Sequence, residues 1–248
     1  MRLYISIDDT DNLESRGTGK LASLLIDELV DRHWGSAQPI TRHQLYVHPD
    51  IAYTSHNSSM CFGFDTGAHL LQDIIDLAGE FLRKESAPGS DPGLCVAAVP
   101  GLTWTDEVIA FGFRAKEEVL SKREAYELAR KVGVHLSEHG GTGIGVIGAL
   151  AGVGLRVGGN DGRFRGKIEI EPAWTAITVA SLIERTHVDE VQTTAGLRLP
   201  DNELILLGET VKPVLLNGRC ILLVYPTEKT GTGEPRWQTC TKSYVRMY

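Results

Sequence analysis

The sequence predicts an α+β protein of two domains, and three observations carry that expectation. Residues 1–99 read in the order strand, helix, strand, strand, helix, strand, the ferredoxin-like split βαβ pattern. Pro100-Gly101 then punctuates the chain and marks the expected boundary between a domain at 1–99 and a second at 100–248, although a loop within one larger domain would look the same. A length of 248 residues with 42% hydrophobic content is enough for one large core or two smaller ones.

Each element rests on its own pattern. Leu3-Tyr4-Ile5 is an apolar run that reads as a buried strand, and Leu21, Leu24, Leu25 and Leu29 recur at helical spacing, predicting a helix over 18–33 that Gly35 and Pro39 end. Gln44 to His48 alternates as a strand would, and Met60 to Phe64 reads as another. Leu70, Ile74, Leu77, Ala78 and Phe81 give a second amphipathic helix. The breakers Pro88, Gly89, Pro92 and Gly93 follow, then a strand from Leu94 to Val99. In the second half, Ala125, Leu128, Ala129, Val132 and Leu136 mark one face of a helix that stops at His139-Gly140-Gly141. Beyond the turn signal at Gly158 to Gly162, strands are expected at Lys167 to Ile170, Leu204 to Leu207, Val214 to Leu216 and Ile221 to Val224, and the polar stretch Thr227 to Gly233 reads as a loop.

Composition narrows the function. A net charge of −7 provides no global field to attract nucleic acid, so RNA contact would need a local patch such as Arg163, Arg165 and Lys167, a trio that more often is just a solvated turn. Cys61, Cys95, Cys220 and Cys240 are widely spaced, without a Cys-x-x-Cys pair, which argues against a zinc ribbon and for unpaired thiols in a reducing compartment. The chain opens directly with a strand and has no apolar stretch long enough to span a bilayer, so a soluble cytoplasmic protein with no membrane partner is expected.

The stretch Ile7-Asp8-Asp9-Thr10-Asp11-Asn12 holds three carboxylates at the mouth of the first strand, just before Arg16-Gly17-Thr18-Gly19-Lys20 leads into a helix. Like charges packed there cost free energy unless a cation offsets them, and hard oxygen ligands suit Mg²⁺ shared with phosphate oxygens. Asp8, Asp9 and Asp11 are therefore candidate metal-binding and catalytic residues of a nucleotide site; the other reading is an Asp-rich turn bonded to its own backbone. Lys20 could steady a phosphate or pair with a neighbouring carboxylate. Gly141-Thr142-Gly143 could cradle phosphate on free backbone N–H groups, or the run from Gly141 to Gly152 could serve close helix packing; without a Gly-Lys-Ser/Thr ending it is not a Walker A loop. His48, His56 and His139 sit in polar loops, as acid–base candidates or as surface residues.

These residues resemble the archaeal tRNA-isoleucine 2-agmatinylcytidine synthetases, the TiaS family. Ile7 to Asp11 is similar to the family's opening Ile-Asp-Asp-Thr-Asp, Arg16-Gly17 to its Arg-Gly, and Pro49-x-Ile51-x-Tyr53 with Asn57 to its Pro-x-Ile-Pro-Tyr loop and the Asn behind it. Pro92-Gly93 resembles its Asn-Pro-Gly, Gly145 to Ala151 its Gly-Leu-Ile-Gly-Ala-Leu-Ala, and Pro213-Val214-Leu215 its Cys-Pro-Val-Leu, in the same order along nearly the whole chain. The resemblance implies two α/β-sandwich domains, a kinase-like one at 1–99 and a ferredoxin-like one at 100–248. It also implies ATP, Mg²⁺ and agmatine as ligands, with ATP activating a tRNA cytidine for attack by the agmatine amine. Candidate nucleotide-contacting residues are Thr10, Thr18, Lys20, Asn57, Gly141, Thr142 and Gly143, and Asp50 is a candidate to attract the cationic amine.

Two departures shape the expected function. Family members continue into an oligonucleotide-binding domain and a zinc ribbon that grip tRNA, whereas this sequence stops at Tyr248 without a zinc-ligand cluster, so tRNA is not an expected partner of this chain alone. Where the family has Met-Cys-Thr-Thr, with a threonine associated with phosphoryl chemistry, this chain has Thr18-Gly19-Lys20-Leu21. The leading expectation is an ATP/Mg²⁺-dependent phosphotransferase or amine ligase acting on a small substrate. Its rivals are a non-catalytic nucleotide- or polyamine-binding protein and one subunit of a split tRNA-cytidine agmatinyl ligase.

Overall fold

A computed structural model describes residues 1–51, 57–99, 105–166, 168, 170, 174–209, 211–227 and 234–248. The chain forms two compact units, Met1–Gly158 and Gly159–Tyr248. The expected boundary at 99/100 therefore falls inside the first unit; its marker, Pro100-Gly101, lies outside the described residues.

The first unit is built on an antiparallel sheet. Strands β1 (Arg2–Asp8), β2 (Gly35–Ala37), β3 (Thr41–Gln44), β4 (Ser58–Thr66), β5 (Gly93–Ala98) and β6 (His135–Glu138) pair in the order β6-β5-β1-β4-β3, with β2 also beside β4. Ser6 of the central strand β1 faces Cys61 of β4 on one side and Cys95 of β5 on the other.

Helices cover both faces, which is why β1, β4 and β5 read as nearly continuous apolar runs. On one face, Leu3, Ile5, Ile7, Phe62 and Phe64 pack with Leu21, Leu25 and Leu29 of α1 (Thr18–Asp31) and Ile74, Ala78 and Leu82 of α2 (Leu71–Glu85). The opposite face is covered by α3 (Thr105–Arg114), α4 (Lys122–Val132) and α5 (Val146–Gly158), through Cys61, Cys95, Ala97, Val108, Phe111, Ala149, Leu150 and Val153. Helix α5 is buried nearly all round, as its sequence, apolar or glycine at every position but Arg156, requires. It fits there because its glycines let backbone approach: a Cβ at Gly152 would overlap the Ser6 and Ser59 hydroxyls, and one at Gly154 would overlap the Val108 carbonyl of α3.

Two local expectations fail for clear reasons. The strand expected at Gln44 to His48 lies earlier, as β3, because Tyr46 N–H donates instead to the Ala115 carbonyl at 3.0 Å. The helix expected to run to His139 ends at Gly133, whose left-handed φ of 74° caps α4 and frees His135–Glu138 to pair with β5.

The second unit is rich in short strands: β7 (Arg163–Phe164), β8 (Ala176–Thr178), β9 (Glu190–Thr193), β10 (Leu204–Leu206), β11 (Val214–Leu216), β12 (Arg219–Pro226) and β13 (Trp237–Thr239). Its helices are α6 (Val179–Arg185) and α7 (Lys242–Val245). Central β12 pairs antiparallel with β11 and β13 and parallel with β9, making a mixed sheet. Its two faces are both buried, Leu222 and Val224 with Phe164, Ile177 and Val191, Ile221 and Leu223 with Val214, Cys240 and Val245. This unit begins at Gly159 and so coincides with only part of the ferredoxin-like domain expected at 100–248. The strand expected at Lys167 to Ile170 is absent from its described part, where Ile168 and Ile170 are buried outside any strand; Lys167 lies outside the described residues. All four cysteines are buried free thiols. No helix among the described residues is long and apolar enough to cross a membrane.

Candidate functional site

The first unit contains a cavity of about 270 Å³ where β1 ends and α5 begins. Its wall carries five carboxylates, Asp8, Asp9, Asp50, Asp91 and Glu118. The remaining surface is mainly apolar, from Leu45, Ile51, Ala115, Val119, Leu120, Ile144 and Ile147, and no described Lys or Arg lines it.

Alternation along β1 aims the first of these acids. Leu3, Ile5 and Ile7 face α1 and α2, so Ser6 and Asp8 face α5. Gly148 makes room for the Asp8 carboxylate, which a Cβ there would overlap. Burial, then the neighbouring Asp9 carboxylate, pushes Asp8 up to about 8, opposed by a backbone hydrogen bond from Asp9. Asp9 leaves the strand in the left-handed region at φ 52°, a conformation Asp tolerates better than most residues. Burial, followed by Asp91 and Asp11, raises it to about 6.

Asp91 sits just before β5 and reaches the turn that precedes α5. Its Oδ1 accepts the backbone N–H groups of Thr142 and Gly143, the latter at 3.1 Å. The N–H groups expected to cradle phosphate are thus held by an internal carboxylate. Thr142 lines the cavity, whereas Gly141 and Gly143 are not on its wall.

The other expected residues divide. Asn57 lines the cavity and acts on the backbone, its Nδ2 donating to the Tyr46 carbonyl at 2.6 Å while its own carbonyl accepts from Leu45 N–H at 2.9 Å. Asp50 is also on the wall. Asp11, Thr10, Thr18 and Lys20 are not: Asp11 lies beside Gly17 at the head of α1, Thr18 is buried in its first turn, and Lys20 is exposed. Thr10 is buried with its hydroxyl unpartnered, while its carbonyl accepts from Ala87 N–H at 3.0 Å. His48 stacks on Tyr46, and His139 joins a ladder with Ser137 and His135 on β6; neither lines the cavity, and His56 lies outside the described residues. In the second unit, Arg163 is half-buried on β7 and Arg165 exposed.

Sequence reasoning passes over Asp91 and Glu118. Asp91 carries a signal, an acid directly before the Pro92-Gly93 breaker, but its role depends on where the turn before α5 docks. Glu118 has none.

The metal expectation needs revision. Among the described residues no group of three or more His, Cys, Asp or Glu side chains is arranged to hold a metal ion. Asp8 and Asp9 remain a pair of acid groups on one wall, a donor set that suits Mg²⁺ only when phosphate oxygens and water complete its shell.

No family model matches the chain. Over 159 residues it is 28% identical to the isoleucine-tRNA 2-agmatinylcytidine synthetase TiaS of Thermococcus sibiricus, a match covering 62% of this chain and 35% of that protein. Among solved structures it is similar to a complex of TiaS with isoleucine tRNA and ATP, with a TM-score of 0.53 and 26% identity over 62% of this chain and 36% of that one. A complex of TiaS with isoleucine tRNA, AMPCPP and agmatine gives a TM-score of 0.52 and 25% identity over 62% and 36%. The likeness thus covers less than the nearly whole chain expected from scattered motifs, and the chain spans about a third of the length of these relatives. Over that shared part, the chain is TiaS-like.

Proposed function

We propose that this chain uses ATP with Mg²⁺ in a TiaS-like amine-ligase or phosphotransferase reaction, and that its acidic cavity seats a cationic amine. The observation that carries this reading is the cavity wall: five carboxylates with an apolar remainder and no described Lys or Arg. Such a wall favours a cation with a hydrocarbon body and disfavours a bare triphosphate. Agmatine, named in a related complex, has that chemistry. Mg²⁺ entering with ATP would neutralise phosphate charge and would be held by Asp8 and Asp9.

The protein's own groups supply the rest. With Asp8 and Asp9 assigned to the metal, Asp50 on the same wall suits the acceptor of the proton an ammonium must lose before its nitrogen attacks. Asp50 adds attraction for the cation, Glu118 is already paired with Arg114 at 2.9 Å, and Leu45 and Ile147 exclude water from the cation's hydrocarbon part. The strand order β5-β1-β4-β3, with α1 and α2 on one face, supports a ferredoxin-like, kinase-like architecture for the first part of the chain. tRNA recognition by this chain alone is not part of the proposal.

A second reading, binding without turnover, is favoured by a specific observation: the Thr142 and Gly143 N–H groups are taken by Asp91 and Lys20 stands off the cavity. ATP consumption by the purified chain with Mg²⁺ separates the two. Consumption that rises on adding agmatine, and falls at least about 100-fold in Asp9→Asn, is expected of the enzyme. ATP bound but not consumed, with or without agmatine, means the second reading holds.

A further inference from the structure

The turn Gly141-Thr142-Gly143 is gripped from two sides. From the cavity side, Asp91 takes the Thr142 and Gly143 N–H groups. From the other side, Lys122 Nζ donates to the Thr142 carbonyl at 2.6 Å and to Glu138 Oε2 at 2.7 Å. Tyr126 completes this outer grip by donating its hydroxyl to Glu138 Oε1 at 2.8 Å. The Glu138 carboxylate lies against Gly143, where any Cβ would overlap it and where φ is +72°.

We propose that Lys122, oriented by Glu138 and Tyr126, is a positioning residue that holds this turn as a preformed wall of the cavity. The inference deepens the reading of the cavity as an amine site and rests on it for its functional arm. Lys122 does not line the cavity; it acts through Thr142, which does. Its own place is fixed. It is the first residue of α4, directly after a capping box in which the Ser121 and Glu124 side chains each bond the other's backbone N–H, and Glu124 is further bound by Arg114 at 3.0 Å.

Charge explains why a cation is needed at this point. Glu138 stands on one side of the turn and Asp91 on the other. Lys122 offsets the first carboxylate and ties it to the turn's carbonyl, so the segment is bonded at both its N–H and C=O groups. A turn with its polar groups spent in this way loses little further entropy when a ligand closes on it.

The test compares Lys122→Met, Lys122→Arg and Tyr126→Phe in the full chain, with two readouts: hydrogen exchange of the Thr142 and Gly143 amides, and calorimetric affinity for agmatine. Lys122→Met is expected to speed exchange at both amides at least about 10-fold while α5 stays protected, and to weaken agmatine about 10-fold. Lys122→Arg, which keeps the charge and donors, should recover most of both losses, and Tyr126→Phe should give a smaller loss of both. Unchanged exchange in Lys122→Met overturns the inference, as does faster exchange with unchanged agmatine affinity. If the wild-type chain binds no agmatine, the amine reading fails on that result alone, and exchange at the two amides still decides whether Lys122 holds the turn. Should Lys122→Met unfold, Tyr126→Phe carries the same comparison, and no change at the two amides in it overturns the inference.

Discussion

The two units differ in charge as sharply as in architecture. Residues 1–158 carry 14 Lys and Arg against 21 Asp and Glu, and residues 159–248 carry 11 of each, so the whole net charge of −7 belongs to the first unit. The first unit also buries Asp8 beside a cavity and seats a glycine-rich helix directly on its sheet. The second covers both faces of a mixed sheet with short elements, and of its buried acids Asp161 and Glu190 the latter is paired with Arg219 at 2.7 Å. A buried carboxylate with a cationic partner is a structural feature. On the cavity wall Glu118 is likewise paired, with Arg114 at 2.9 Å, whereas Asp8, Asp9 and Asp91 have no Lys or Arg paired to them among the described residues and ask for a ligand to provide the charge.

The largest effect that should expose this difference is steric. Gly148→Ala would drive a Cβ into the Asp8 carboxylate, and α5 is buried too completely to move away. A loss of about 3 kcal/mol or more is expected in denaturant unfolding. Gly196→Ala in the second unit meets no atom within 4 Å and suffers only from its φ of +83°, for about 1 kcal/mol. Equal losses at the two positions would mean that α5 does not press on the site.

Electrostatics should give the next largest effect. Asp8 has a folded pKa raised to about 8 from 3.8, so between those values the unfolded chain binds fewer protons than the folded one, and stability falls as pH rises. Asp9 adds to this slope between 3.8 and about 6. Asp8→Asn keeps the shape and removes the charge, and should therefore stabilise the protein by on the order of 3 kcal/mol at pH 8 and by little at pH 4. A variant less stable than wild type at pH 8 would show that the ionised Asp8 is already compensated by protein groups.

Charge partition also predicts weak RNA binding. With the first unit acidic and the second neutral, isoleucine tRNA should bind no tighter than roughly 10⁻⁵ M at physiological salt, and Arg163→Ala with Arg165→Ala should flatten what salt dependence there is. Tight binding in a fluorescence titration, with a steep salt slope, would reverse the comparison by making the second unit the functional one. The smallest effect is expected at Lys20, exposed and off the cavity wall: Lys20→Ala should change stability by under about 0.5 kcal/mol and leave agmatine affinity unaltered by calorimetry.

Much of the first unit is legible in the sequence because its elements are long and periodic. Leu21, Leu25 and Leu29 announce α1, Ile74 and Ala78 announce α2, and the apolar runs at Leu3 and Leu94 announce strands covered on both faces. Gly133 is equally visible, but the apolar spacing from Val132 to Leu136 outweighs it, and the strand β6 reads as helix. The second unit has strands of only two to four residues apart from β12, too short for alternation to register. At the site, Asp8 and Asp9 can be read from the motif alone. Asp91 cannot, because the turn it holds arrives through the docking of α5. The glycine turn is recognisable as a source of N–H donors, yet its acceptor is an internal acid and not the expected phosphate, since nothing local in the sequence says that residue 91 lies opposite residues 142 and 143.

The central claim is that the cavity takes a cation and tolerates a nucleotide only in the company of one. Calorimetric titration of the full chain tests it most directly, with agmatine, with ATP plus Mg²⁺, and with ATP in excess chelator. Saturable agmatine binding and ATP binding that vanishes in chelator are expected. ATP binding of equal affinity with and without Mg²⁺, together with no agmatine binding, would contradict it.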